Sequence, residues 1–236
     1  MGLDRRRTRA WSPERVVRVV RALERLYGKR DYRHRLPPLD ELVCCILTQN
    51  STDAVAFPTF YRLREKYPEW ERLAGLSPLR LAREIRAVGL GEQKARNIIG
   101  ALREIKRRFG DYTLAPLQKM NTGEAEKWLR SLPGVGPKTA GIVLMFAFGR
   151  DALPVDTHVF RVSWRLGMVE KRTGAGRAHE LLKALVPRGW RYRFHVALIQ
   201  HGRTICRARR PLCSECPVSR ECLYYAQVLM RTPETV

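Results

Sequence analysis

Residues 137–148 read PKTAGIVLMFAF, twelve positions of which only Lys138 and Thr139 are polar. A helix that is apolar all round has to be buried, so this segment belongs in a core. It is entered through LPGVG (132–136), whose glycines and proline end any preceding helix, and Gly149 stops it. Helical spacing recurs along nearly the whole chain. Ser12 and Pro13 read as N-cap and N1, Gly28 as the stop, and Val16, Val19, Val20, Leu23 and Leu26 form one stripe between them. DYRHRLPPLDE breaks the pattern as a linker, after which Asp40 can cap a helix carrying Leu42, Val43, Ile46 and Leu47. A further helix is expected over 53–66. Asn121 or Thr122 caps another with Ala125, Trp128, Leu129 and Leu132 on one face. Asp156 or Thr157 starts a helix ending near Gly167. No strand alternation is evident, so the expected class is all-α.

The chain has 236 residues, enough for one large domain or two small ones. Against 23 acidic residues stand 45 Lys and Arg, a net charge of +22. That surplus points to a polyanionic partner, most often nucleic acid. A ribosome-type binder, an anionic membrane surface or a general arginine bias would give the same number. Only nine of the 45 cations are lysines, so a lysine at the mouth of the buried helix stands out. No apolar run reaches about 18 residues, so no membrane span is expected. The start, MGLDRRRTRAW, lacks the apolar core of a secretory signal and reads as a basic arm. An intracellular setting, cytoplasm or nucleoid, is expected.

The turn at 132–140 has a bland reading, a connection between packed helices, and a sharper one. The first N–H groups of a helix lack intrahelical acceptors and carry partial positive charge. Glycines remove the Cβ atoms that would hold a phosphate away, so Gly134, Val135, Gly136, Lys138 and Thr139 read as an anion cradle. GLGEQKA (89–95) echoes GVGPKTA (134–140), which makes Gly89, Gly91 and Lys94 candidates for a second phosphate contact. Lys138 can be a phosphate contact or a solvated charge. To act as a nucleophile it must be neutral. Asp156 makes a good N-cap, yet its apolar neighbours Pro154 and Val155 suit a carboxylate that steadies a developing cation or relays a proton. His158, on the same turn, reads as a packing residue.

Cys44 and Cys45 fall in an apolar helical run and read as core. Cys206, Cys213, Cys216 and Cys222 follow as C-x6-C-x2-C-x5-C. Four thiols so close, without a secretory signal, argue for a metal over disulfides. Zinc prefers two close pairs and only one exists here, whereas uneven spacing suits a [4Fe–4S] cube; iron–sulfur, zinc and disulfides all stay open on spacing alone. Arg207, Arg209 and Arg210 lie between the first two ligands, on a loop suited to DNA phosphates.

In their order and spacing LPGVGPKTA, VDTHVFRV and the cysteine quartet resemble the endonuclease III branch of the helix–hairpin–helix DNA glycosylases, and GLGEQKARNII resembles that family's earlier DNA-contacting hairpin. The likeness runs over roughly residues 13–226. It implies a six-helix domain over 31–149 and a second helical domain built from 1–30 and 150–236, with a DNA groove between them. It implies a [4Fe–4S] cluster on the four cysteines and a monomer acting on double-stranded DNA with a damaged base or an abasic site. It implies that the base is flipped out of the duplex. Lys138 is then the nucleophile toward C1′, with Schiff-base formation and β-elimination, and Asp156 assists. Lysine at that position implies a bifunctional glycosylase and AP lyase, with oxidised pyrimidine as the leading substrate. One departure bears on the substrate. In ILTQNSTDA the position of the family's gap-filling glutamine falls on Asn50 rather than Gln49, and either amide can bond an orphaned base. LTQN also resembles relatives acting on alkylated purines or 5-methylcytosine. A monofunctional glycosylase for mismatched, alkylated or methylated bases and a non-catalytic DNA binder are the alternatives.

Overall fold

The computed structural model describes residues 10–229, so residues 1–9 of the basic arm lie outside the described residues. It divides into two compact units. One is continuous, residues 33–150, and the other joins 1–32 to 151–236. The described residues form helices and loops, with no strand among them. No helix among them is long and apolar enough to cross a membrane.

In the continuous unit α2 (Pro38–Thr48), α3 (Asp53–Lys66), α4 (Trp70–Ala74), α5 (Pro78–Glu84), α6 (Gly91–Phe109), α7 (Thr122–Leu129) and α8 (Pro137–Ile142) follow in order. Leu42, Ile46, Phe60, Ile98 and Leu102 are fully or almost fully buried and form part of its centre. Asp40 does not cap α2. Pro38 already satisfies the N1 geometry, having no N–H to lose, so the helix starts three residues earlier than an Asp40 cap would set it, and Asp40 Oδ1 accepts from Arg64 Nε at 3.1 Å. Cys44 and Cys45 are buried. Asn121 caps α7 through a capping box with Glu124. The apolar segment is not one regular helix as expected: after α8 it widens into a π-helical turn over Val143–Ala147. The wider turn buries four of its five residues, Val143, Leu144, Met145 and Ala147.

The discontinuous unit packs α1 (Pro13–Tyr27) with α9 (Thr157–Leu166), α10 (Gly174–Leu185), α11 (Arg191–Thr204) and α12 (Leu223–Leu229). The α1 stripe, Val16, Val19, Val20 and Leu23, shares a core with Val159 and Phe194. Ser12 caps α1 and Gly28 ends it at φ +80°. Arg15 Nε bonds Glu221 Oε2 at 2.7 Å, tying α1 to the cysteine-bearing segment.

Candidate functional site

The chain leaves α7 and turns through 130–136 into α8. Gly134 adopts φ +73°, and a Cβ there would stand 2.4 Å from Asn97 Nδ2, so only glycine fits. Pro133 seats beside Gly100 of α6 in the same way, 3.1 Å from where a Cβ would be. Gly136 differs. Its φ of −92° suits any residue, and a Cβ would meet nothing within 4 Å. The side it faces is open to an incoming group. The N–H groups of Gly136, Lys138 and Thr139 have no acceptor among the described residues. Val135 departs from expectation: it is 6 % exposed and its N–H is spent on Leu132 O at 3.1 Å, so it anchors the turn. Thr139 offers only its N–H, because its side chain is buried. Lys138 is exposed on the first turn, its ammonium unpaired among the described residues.

The first hairpin behaves otherwise. Gly89 has φ +66° and its N–H is used by Arg86 O. Gly91 opens α6 against Ala82, whose carbonyl oxygen would lie 3.1 Å from a Cβ. Between them Leu90 is left-handed, φ +50°, and 61 % exposed. That leucine was missed in the sequence, where it read as one aliphatic residue of a motif; a large apolar residue held between two glycines was the available signal. Lys94 corrects the sequence expectation. It is 2 % exposed, and its Nζ donates to Leu47 O at 2.9 Å and Val88 O at 2.8 Å. It is out of reach of a phosphate, and burial lowers its pKa.

Gln49 and Asn50 separate in role. Gln49 Nε2 donates to Gly134 O at 2.8 Å and to Thr139 Oγ1 at 3.3 Å, which uses both amide protons. Asn50 is exposed and left-handed at φ +51°.

In the other unit Asp156 is half-buried at the N-cap of α9. Its Oδ1 accepts from Val159 N at 2.7 Å, leaving Oδ2 without a hydrogen bond among the described residues. The buried run 152–155 leads into it, and His195 Nδ1 lies 2.9 Å from Pro154 O. A carbonyl only accepts, so that nitrogen carries the proton. His158 packs against Arg161, whose Nη2 lies 3.0 Å from its Nδ1, and burial lowers its pKa.

Cys206, Cys213, Cys216 and Cys222 line one cavity with Val162, Leu166 and Val218. The donor set is all sulfur. Burial pushes the thiol of Cys216 up to about 12, that of Cys222 up to about 11 and that of Cys213 above its usual value. A metal of high positive charge reverses this by binding the thiolates. Arg165 of α9 supports the loop: its guanidinium donates to Arg207 O at 2.7 Å and Ala208 O at 3.1 Å, and its Nη1 stands 3.4 Å from Cys206 Sγ. The side chains of Arg207, Arg209 and Arg210 are exposed, and Arg207 Nε bonds Thr204 O.

A family model described as "HhH-GPD superfamily base excision DNA repair protein" matches residues 43–188.

The chain belongs to the HhH-GPD superfamily of base excision DNA repair proteins.

Within the superfamily it is similar to an endonuclease III of Rickettsia prowazekii, 36 % identical over 78 % of this chain and 82 % of that one. An endonuclease III of Synechocystis is 34 % identical over 92 % of this chain and 95 % of its own. A solved structure, that of a non-covalent endonuclease III–DNA complex, superposes with TM-score 0.79 at 27 % identity, covering 93 % of this chain and 99 % of the other. This HhH-GPD protein is a base excision repair DNA glycosylase, an enzyme, and the helical fold of its described residues matches that of the endonuclease III structure.

Proposed function

We propose that the enzyme is bifunctional: it removes a damaged base, with oxidised pyrimidine as the leading substrate class, and then cuts the strand as an AP lyase. The observation that carries this reading is Lys138, exposed and unpaired on the first turn of a helix whose preceding amides lack acceptors. Those amides and the open face at Gly136 hold a phosphate of the damaged strand. Gly91 and the start of α6 hold a second one. Asn50 and Leu90, both exposed on left-handed tips, enter the duplex, Asn50 to bond the orphaned base and Leu90 as an apolar wedge.

With the base flipped out, neutral Lys138 Nζ attacks C1′ and the glycosidic C–N bond breaks with its electron pair leaving on the base. The nitrogen gives up one proton, O4′ takes one as the sugar ring opens to a protonated Schiff base, and loss of a C2′ proton expels the 3′ phosphate. Water then releases the enzyme. Asp156 serves this step through Oδ2, since Oδ1 is committed to Val159. As a carboxylate it steadies positive charge developing at the sugar and accepts a proton.

The cysteine cavity takes a [4Fe–4S] cluster, with Cys206, Cys213, Cys216 and Cys222 as thiolate ligands. The cluster supplies a rigid cross-link for the segment that presents Arg207, Arg209 and Arg210 to DNA. Four thiolates also fit zinc, and iron and zinc analysis of the purified protein separates the two. The reaction is tested on duplexes carrying single lesions, scoring base release and nicking separately. Release with nicking at an oxidised pyrimidine is expected. Release without nicking, or release only of alkylated or methylated bases, assigns the monofunctional alternative.

A further inference from the structure

Two side chains in the continuous unit are spent on backbone carbonyls rather than on anything outside the protein. Lys94 is the one buried lysine among the described residues. Its ammonium joins Leu47 O, in the last turn of α2, to Val88 O, directly before the Gly89–Gly91 turn. Carbonyls at helix ends are short of intrahelical donors and carry partial negative charge, so a cation suits them. Gln49, the first residue past α2, joins that same helix end to the second hairpin through Gly134 O and Thr139 Oγ1. The two hairpins are also in contact through α6, where Gly134 abuts Asn97. Three loops are therefore cross-linked by two side chains.

We propose that Lys94 and Gln49 form a brace: they touch no DNA, and they fix the Asn50 tip and the Leu90 tip at a set height relative to the 134–139 hairpin. This rests on the reading that these loops grip and enter DNA. Both residues are positioning residues. The sequence motifs suggest other work for each, Lys94 as a phosphate contact and Gln49 as the gap-filling amide; the geometry removes the first and leaves Gln49 no amide proton for the second. A buried ammonium adds nothing to counterion release, and an amide with both protons engaged has no donor left for a base.

The test uses the full-length protein with Lys94→Met and Gln49→Leu. Hydrogen exchange read by mass spectrometry is expected to rise at 47–51 and 88–91 in Lys94→Met, and at 48–51 and 134–136 in Gln49→Leu. Single-turnover base release is expected to fall roughly ten- to a hundredfold, the scale of an ångström-sized misplacement. DNA affinity and its salt slope are expected to hold within about twofold, because no phosphate contact is lost. Unchanged exchange in both variants overturns the brace. So does a salt slope lowered by about one in Lys94→Met, which makes Lys94 a phosphate contact. If Lys94→Met does not fold, Gln49→Leu, altered at a half-exposed site, decides alone. Wild-type protein without base release defeats the enzymatic reading, and the exchange data still judge the brace.

Discussion

In the proposed reaction Asp156 does two jobs with two oxygens. One caps α9 and the other is free, so the capping and the chemistry can be pulled apart. Asparagine caps a helix about as well as aspartate. Asp156→Asn is therefore expected to shift unfolding free energy by less than about 0.5 kcal/mol. Base release is expected to fall by about a hundredfold or more, on the scale of losing a preformed electrostatic contact. Denaturant unfolding and single-turnover kinetics on one preparation check both halves. At this scale the sequence was readable where a residue's role is written in its own chemistry: Asp156 as cap, Asn121 as one of two cap candidates, Ser12 with Pro13. It was opaque where the role depends on what lies opposite. Nothing in GLGEQKA says that its lysine turns inward, because the acceptors, Leu47 O and Val88 O, are backbone atoms that the fold brings together. Gln49 and Asn50 are alike as amides, and only the backbone, left-handed at Asn50, separates brace from tip.

Among elements, the 130–140 turn shows how two glycines one residue apart serve different ends. Gly134 is needed by the protein itself, for its positive φ and for Asn97. Gly136 satisfies no internal demand. Gly134→Ala is expected to destabilise by about 1–3 kcal/mol, since strain and overlap combine. Gly136→Ala is expected to leave stability within about 0.5 kcal/mol and to weaken DNA binding, because its Cβ fills the side from which a phosphate approaches. Thermal unfolding and fluorescence-anisotropy titration distinguish the two, and equal affinity for Gly136→Ala and wild type removes the phosphate from that place. The helices themselves were legible from caps and stripes. The π-helical turn at Val143–Ala147 was not, since a wholly apolar stretch has no polar face to mark its period. The start of α2 was displaced because Pro38 pre-empted Asp40.

On the scale of the molecule, a net charge of +22 pointed to a nucleic-acid partner before any motif was read. It says nothing of the reaction. The cysteine cavity adds a structural dependence: a group that binds only the folded state stabilises it by mass action. Purified protein is expected to be coloured and to carry iron, and removal of the iron is expected to lower the unfolding midpoint and to weaken DNA binding by loosening the loop that Arg165 holds. A colourless protein with zinc at full activity contradicts the iron–sulfur assignment. The central claim is that Lys138 forms a covalent bond to the sugar, and borohydride reduction of the enzyme on a duplex with a single abasic site reads it directly. Wild type should give a stable cross-linked band and Lys138→Gln should give none. Equal cross-linking by the variant, or none by wild type, contradicts it.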